Sequence, residues 1–183
     1  MSEFEFIFTS VTILLALAIA RLLEGLRDTF DRSRRYWIHY LWVVNRLIVV
    51  FATLLLAFGA RDRSGQGVFF FLIVLTPPAA VFLQVNALVT SQAGAIEDWK
   101  DHFWSVKKWF FGSNMLYVLG IFLLATYGIA AELGPIQRYS PPLIGLLLSI
   151  VGYRSSSERV QGVLAIVGIF NVAIGFVRIA ALA

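Results

Sequence analysis

WIHYLWVVNRLIVVFATLLLAFG, Trp37–Gly59, runs 23 residues with a single charge, Arg46. A helix needs about 20 apolar residues to cross the hydrocarbon core of a bilayer, and this stretch has the length and the composition. Nothing in it alternates as a strand does, and inside a bilayer only helices and closed barrels satisfy their own backbone groups. Working outward, similar apolar runs occupy Phe4–Leu23, Val68–Thr90, Ser113–Ala131 and Val160–Leu182. A sixth, Pro141–Tyr153, is only 13 residues long, short enough for a tilted or re-entrant half-helix. The reading is an all-α polytopic bundle of about six transmembrane helices, one domain over residues 1–183, because every loop is too short to fold separately.

Composition agrees. Of 183 residues 59% are hydrophobic and 14% charged, with a mean hydropathy of +0.80. Soluble domains carry about 25% charged residues. A soluble enzyme, a disordered tail and a nucleic-acid partner are thereby excluded, with membrane lipid the environment expected instead. There is no Cys, which removes disulfides, thiolate metal sites and thiol chemistry. The net charge of +4 reflects loop bias. With six crossings, Arg21, Arg27, Arg32, Arg34, Arg35, Lys100, Lys107, Lys108, Arg154 and Arg159 fall on one side, against Arg61, Arg63, Arg138 and Arg178 on the other. The richer side is expected to be cytoplasmic, leaving both termini outside. Ala16-Leu17-Ala18 resembles a cleavage site, but Glu3 and Glu5 give an acidic start unlike a secretory leader, so the first run is expected to be retained.

All five tryptophans, Trp37, Trp42, Trp99, Trp104 and Trp109, lie toward the cytoplasmic rim in this orientation. Ile96, Trp99, Phe103, Val106 and Phe110 follow 3-4-3-4 spacing among charged residues. This predicts an amphipathic helix in the interface or a cytoplasmic extension of the fourth span, with Trp99, Phe103, Trp104, Trp109 and Phe110 as interfacial anchors. Asn45-x-Leu47-x-Val49 recurs loosely as Asn114-x-Leu116-x-Val118, and another outward-running span carries Asn171.

Polar residues at membrane depth mark function by default. His39, Arg46 and Thr53 are seven apart and share one helix face. Arg46 is expected to pair with Glu24 and fix packing, or to attract an anion. Pro77 and Pro78 remove two helix donors and predict a kink or a broken helix that bares the carbonyls of Ile73 and Val74, with Gln84 and Asn86 two turns on. Gly168, Asn171 and Gly175, with Ala16 and Ala20 on the first span, form small-residue stripes suited to packing within the bundle or between copies. Arg178 is expected to snorkel at the outer end. Asp98 and His102 sit four apart beside Glu97 and Asp101, but neighbouring lysines favour ion pairing with Arg32, Arg34 and Arg35 over a metal. Ser155-Ser156-Ser157-Glu158 resembles a helix-capping run. No cofactor and no catalytic residue is expected.

Three stretches together, Ala18–Leu26, Tyr36–Trp42 and Lys108–Gly112, resemble those of a group of small, uncharacterised bacterial inner-membrane proteins with about six spans. The resemblance implies a bacterial inner-membrane location and a single small bundle. It carries no settled activity, and no functional residue is transferred from it. The expectation is a non-enzymatic, homo-oligomeric pore- or transporter-like unit for a small ion or solute, with an anion preferred. The alternative is an accessory subunit that docks a membrane-protein partner through its Trp-rich rim.

Overall fold

The computed structural model describes residues 2–29, 36–59, 67–89, 96–128 and 132–180. It contains six helices and, among the described residues, no strand: α1 (Glu3–Thr29), α2 (Trp37–Phe58), α3 (Gly67–Leu88), α4 (Trp99–Thr126), α5 (Pro135–Arg154) and α6 (Glu158–Ala180). All except α5 are long and apolar enough to cross a membrane. The outward faces are apolar, with Phe51, Leu72, Leu119, Leu147, Phe170 and Val177 all exposed. Water would not tolerate such a surface, whereas lipid does. The protein is an all-α bundle of multi-pass membrane type.

The helices alternate in direction. Phe6 of α1 meets Phe71 of α3 near both helix starts, and Phe8 of α1 meets Phe58 at the end of α2. His39 of α2 stacks on Trp99 of α4, again start against start. Phe122 late in α4 meets Tyr139 early in α5, and Asn171 of α6 reaches back to Pro141 of α5. Odd-numbered helices therefore run one way and even-numbered helices the other, so the two ends of the chain lie at the same end of the bundle.

Local chemistry sets the helix ends. Ser2 and Glu5 exchange two hydrogen bonds, Ser2 N to Glu5 Oε2 at 2.7 Å and Glu5 N to Ser2 Oγ at 3.2 Å, a capping box that starts α1. The Asp98 carboxylate accepts from Lys100 N at 2.7 Å and caps α4. Gly134 and Pro135 open α5, where a missing N–H costs nothing. Gly128, with φ of 83°, turns the chain after α4 in a conformation other residues rarely adopt.

One sequence alternative is decided and two expectations change. First, of the two readings of the amphipathic segment the structure has the extension of the fourth span: it is the opening of α4, a 28-residue helix about 42 Å long. Its apolar stripe faces the bundle. Trp99 and Phe103 are fully buried, as is Phe110, so these three are core residues and not interfacial anchors. Trp104 is half-buried, and Trp109 alone of the five stands out at 80% exposure. Second, the short fifth segment is part of a 20-residue helix, about 30 Å long, that carries Pro141 and Pro142 in its interior. Proline at 141 frees the Gln137 carbonyl, which instead accepts from Arg178 Nη1 at 3.3 Å. Arg178 is thus tied to α5. Third, α3 is unbroken: it runs through Pro77 and Pro78 to Leu88. Both prolines are buried, and the Pro77 ring lies against Gly120 of α4, where an added Cβ would come within 2.9 Å of it. The proline pair shapes a helix–helix contact.

Candidate functional site

Arg46 sits nine residues into α2, with 2% of its surface exposed. Its guanidinium is held by carboxamides from three helices. Nε donates to Asn45 Oδ1 at 3.1 Å, Nη1 donates to Asn114 Oδ1 of α4 at 2.9 Å, and Nη1 also donates to Gln84 Oε1 of α3. Nη2 adds a second bond to Asn45 Oδ1. Asn114 Nδ2 donates to Ser149 Oγ of α5 at 2.7 Å, and Ser149 Oγ donates to the Gly145 carbonyl at 2.6 Å. The Phe110 ring lies 5.3 Å from the guanidinium carbon and the Trp42 ring 6.0 Å away. Amide oxygens and ring faces stabilise a cation without cancelling its charge. Among the described residues no carboxylate pairs with Arg46.

The expected Glu24–Arg46 pair is therefore corrected. Glu24 is exposed and binds Arg21 at 3.1 Å, one turn back on its own helix. Arg46 lies too deep in the bundle for it, and neutral amides take the place of the carboxylate.

Beside Arg46 lies a cavity of about 110 Å³ between α2, α4, α5 and α6. Its walls are mainly apolar, including Leu56, Val118, Ile121, Val172, Phe176 and Ile179. Its polar lining comes from Arg46, Tyr117 and three asparagines, Asn45, Asn114 and Asn171. The loose repeat aligned two of them, Asn45 and Asn114, and the three come one from each of the even-numbered helices. Two buried donors on this wall have no partner, Asn45 Nδ2 and Trp42 Nε1. A second cavity of about 70 Å³ shares Leu56, Ile121, Pro141, Pro142, Gly175 and Ile179 with the first and extends to Arg138 and Arg178. The two adjoin, and together they extend, as a recess, from the end of the bundle that holds the start of α1 and the end of α6 down to Arg46. No Asp or Glu among the described residues lines either part.

The inner end is closed by aromatic rings. Trp42 packs edge-on against Phe110 and Phe111, with centroids 5.0 and 5.4 Å away. Glycines seat these rings: a Cβ at Gly152 would lie 2.4 Å from the Phe111 ring, and one at Gly168 would lie 3.1 Å from Trp42. Beyond the plug, Lys107 Nζ donates to the Ser155 carbonyl and Gln161 Nε2 donates to Gly152 O at 2.8 Å, clamping the α5–α6 corner to α4. Lys100 pairs with Glu158 at 2.8 Å at the same end. There the Tyr36 hydroxyl is pushed up to about 12 by burial and then by the charge of Glu158.

The other sequence candidates scatter. His39 and Thr53 are buried on the Arg46 face but serve different neighbours. His39 is stacked 4.6 Å from Trp99, and Thr53 donates to Val49 O at 2.7 Å with Tyr117 Oη 3.4 Å away. Pro77 and Pro78 face away from the recess, and Gln84 reaches Arg46 from behind it. Asn86 is exposed and donates to Phe82 O at 2.8 Å, so it belongs to no site. Gly168, Asn171 and Gly175 do line the recess, and Asn171 Nδ2 donates to Pro141 O at 3.2 Å. Ala16 and Ala20 are exposed on the outer face of α1 and pack nothing within the chain. Asp98 caps α4 and His102 contacts the Leu88 carbonyl at 3.2 Å, so the two are engaged separately. Arg32, Arg34 and Arg35 lie outside the described residues. Sequence reasoning missed Asn45 and Asn114 as partners of Arg46, Ser149 as the partner of Asn114, and Pro141 and Pro142 as cavity wall. The recurring asparagine was the available signal.

Comparison with protein-family models, curated proteins and solved structures finds no match for this chain.

Proposed function

We propose that this protein is a non-enzymatic, transporter-like unit of a bacterial cytoplasmic membrane that takes up a small anion at Arg46. The observation that carries the reading is a guanidinium at membrane depth, held only by amides, at the blind end of a recess whose mouth carries Arg138 and Arg178. Intramembrane charges are costly, and a cation left without a counter-charge favours a bound anion. Cations at the mouth raise the local anion concentration before binding. The aromatic plug of Trp42, Phe110 and Phe111 favours a gated carrier over an open pore, since the recess stops there.

The cellular location rests on the family resemblance, and the outside placement of both termini rests on the Lys and Arg asymmetry. Only 28% of the α1 span and 17% of the α6 span is buried within the chain, leaving their outer faces to lipid or to further copies in a homo-oligomer. The accessory-subunit reading relies on a Trp-rich rim, of which Trp42 and Trp99 are turned inward while Trp37 and Trp109 stand exposed.

The test is anion flux. Purified protein in liposomes should move small anions, and Arg46→Gln should lower the rate at least tenfold while the exposed Trp109→Ala leaves it unchanged. Protein that is folded in liposomes yet moves no anion would rule out the proposal.

A further inference from the structure

We infer that the anion accepted at Arg46 is a short-chain monocarboxylate: one carboxylate head on a small, unbranched apolar tail. The inference rests on the anion-transport reading and narrows it to a chemical class.

The head group follows from the donors. Arg46 Nε and Nη2 both point at one acceptor, Oδ1 of Asn45, and that edge of a guanidinium is the one a carboxylate takes with two parallel hydrogen bonds. Asn45 Nδ2 and Trp42 Nε1, on the same wall, are buried with no partner. A planar acceptor with two oxygens takes Nε and Nη2 by displacing Asn45 Oδ1 from them, and can then also use the free Asn45 Nδ2 and Trp42 Nε1. A halide offers a single centre to four donors spread over three side chains, whereas a carboxylate has two oxygens to share among them. A phosphate dianion would bring two charges to one cation in a low dielectric and leave one uncompensated. An amino acid would bring an ammonium to walls that contain no carboxylate.

The tail follows from the walls. Past the polar end the cavity is lined by Leu56, Val118, Ile121, Val172, Phe176 and Ile179. A fully hydrophilic anion would lose its hydration there and gain nothing, whereas each buried methylene should tighten binding about fourfold. The size is also limited. A dry cavity of about 150 Å³ admits benzene, so 110 Å³ with its 70 Å³ extension suits a tail of a few carbons. Gly175 borders both parts, and a Cβ built there meets nothing within 4 Å. A longer side chain at 175 can therefore occupy tail space without displacing a neighbour.

Calorimetric titration of the full-length protein in lipid nanodiscs tests this, with acetate, butyrate, dodecanoate, succinate and chloride as probes. Butyrate should bind about fifteenfold more tightly than acetate, dodecanoate should gain nothing over butyrate, and chloride and succinate should bind weakly. Gly175→Leu, which leaves the donors intact, should cancel the advantage of butyrate over acetate. Arg46→Gln should weaken every carboxylate at least tenfold. Chloride or succinate matching butyrate, equal affinity for acetate and butyrate, or no effect of Gly175→Leu would each overturn the inference. Chloride flux that depends on Arg46 without carboxylate binding would sink the class and keep the transport reading. Carboxylate binding with no flux would do the reverse, and absence of both would sink both.

Discussion

The bundle has a dry side and a wet side, and they are held together differently. On the dry side α1 presents Ile7, Val11, Leu15, Ala18 and Leu22 to α3, and the seam closes so tightly at Gly25 that a Cβ would lie 1.9 Å from Val89 Cγ1. The same helix rests its Pro77 ring on Gly120 of α4. On the wet side α2, α4, α5 and α6 surround a recess and are joined through Arg46, Asn114, Ser149 and Asn171. Lipid tails are as apolar as leucine, so burial alone gives no driving force between membrane helices. Close shape does that work on the dry side, and directional hydrogen bonds do it on the wet side. A side joined by shape has no room to change, whereas one joined by exchangeable hydrogen bonds around an empty volume can admit a ligand.

The sharpest way to break this contrast is steric. Gly120→Leu drives a side chain into a proline ring that has no rotamer to escape to, and overpacking of this kind costs about 1–3 kcal/mol or more. Unfolding of the protein in mixed micelles should show a loss in that range, and a loss below about 0.5 kcal/mol would mean the dry side is not close-packed. Next is Arg46→Gln. It should abolish anion binding while destabilising the fold by at most about 2 kcal/mol, since intramembrane hydrogen bonds contribute about 0.6 kcal/mol on average. A collapse of the fold without a selective loss of binding would make the wet side a structural joint like the dry one. Smaller still is Asn114→Ala. Combined with Arg46→Gln in a double-mutant cycle, it should give a coupling of about 0.6–1.7 kcal/mol. Zero coupling would detach α4 from the hub. The smallest effect is expected at Glu24→Gln, within about 0.5 kcal/mol, because its partner is the exposed Arg21. A large change in anion binding there would restore a link between Glu24 and Arg46.

The fold was legible because membrane helices announce themselves through composition. Trp37–Gly59 and its counterparts need only length and apolarity to be found, and five of the six helices meet that standard. The remaining one, α5, is longer than its apolar run because Gln137, Arg138 and Ser140 ahead of Pro141 make its start look like loop. Its continuity depends on Arg178 serving a carbonyl 41 residues away, which no local pattern reports. The depth and inward aim of Arg46 were also legible, from its place in an apolar run. Its partners were not. Charge arithmetic pointed to Glu24 near the end of the first span, whereas the true partners are neutral amides, Asn45 beside Arg46 and Gln84 and Asn114 on other helices. The stripe of Trp99, Phe103 and Phe110 showed the same limit. Periodicity located an apolar face, but only packing decided that it turned toward protein and away from lipid.

The amide cradle of Arg46 has an electrical consequence. Carboxamides do not titrate, so on the proposed anion-carrier reading the site carries one positive charge before a monovalent anion binds and none after. Moving one elementary charge across a membrane is worth about 2.3 kcal/mol per 100 mV. If the recess reorients, a transmembrane voltage acts on the vacant form and leaves the occupied form untouched. The return of the empty site, and not the passage of the loaded one, then becomes the step that the voltage sets.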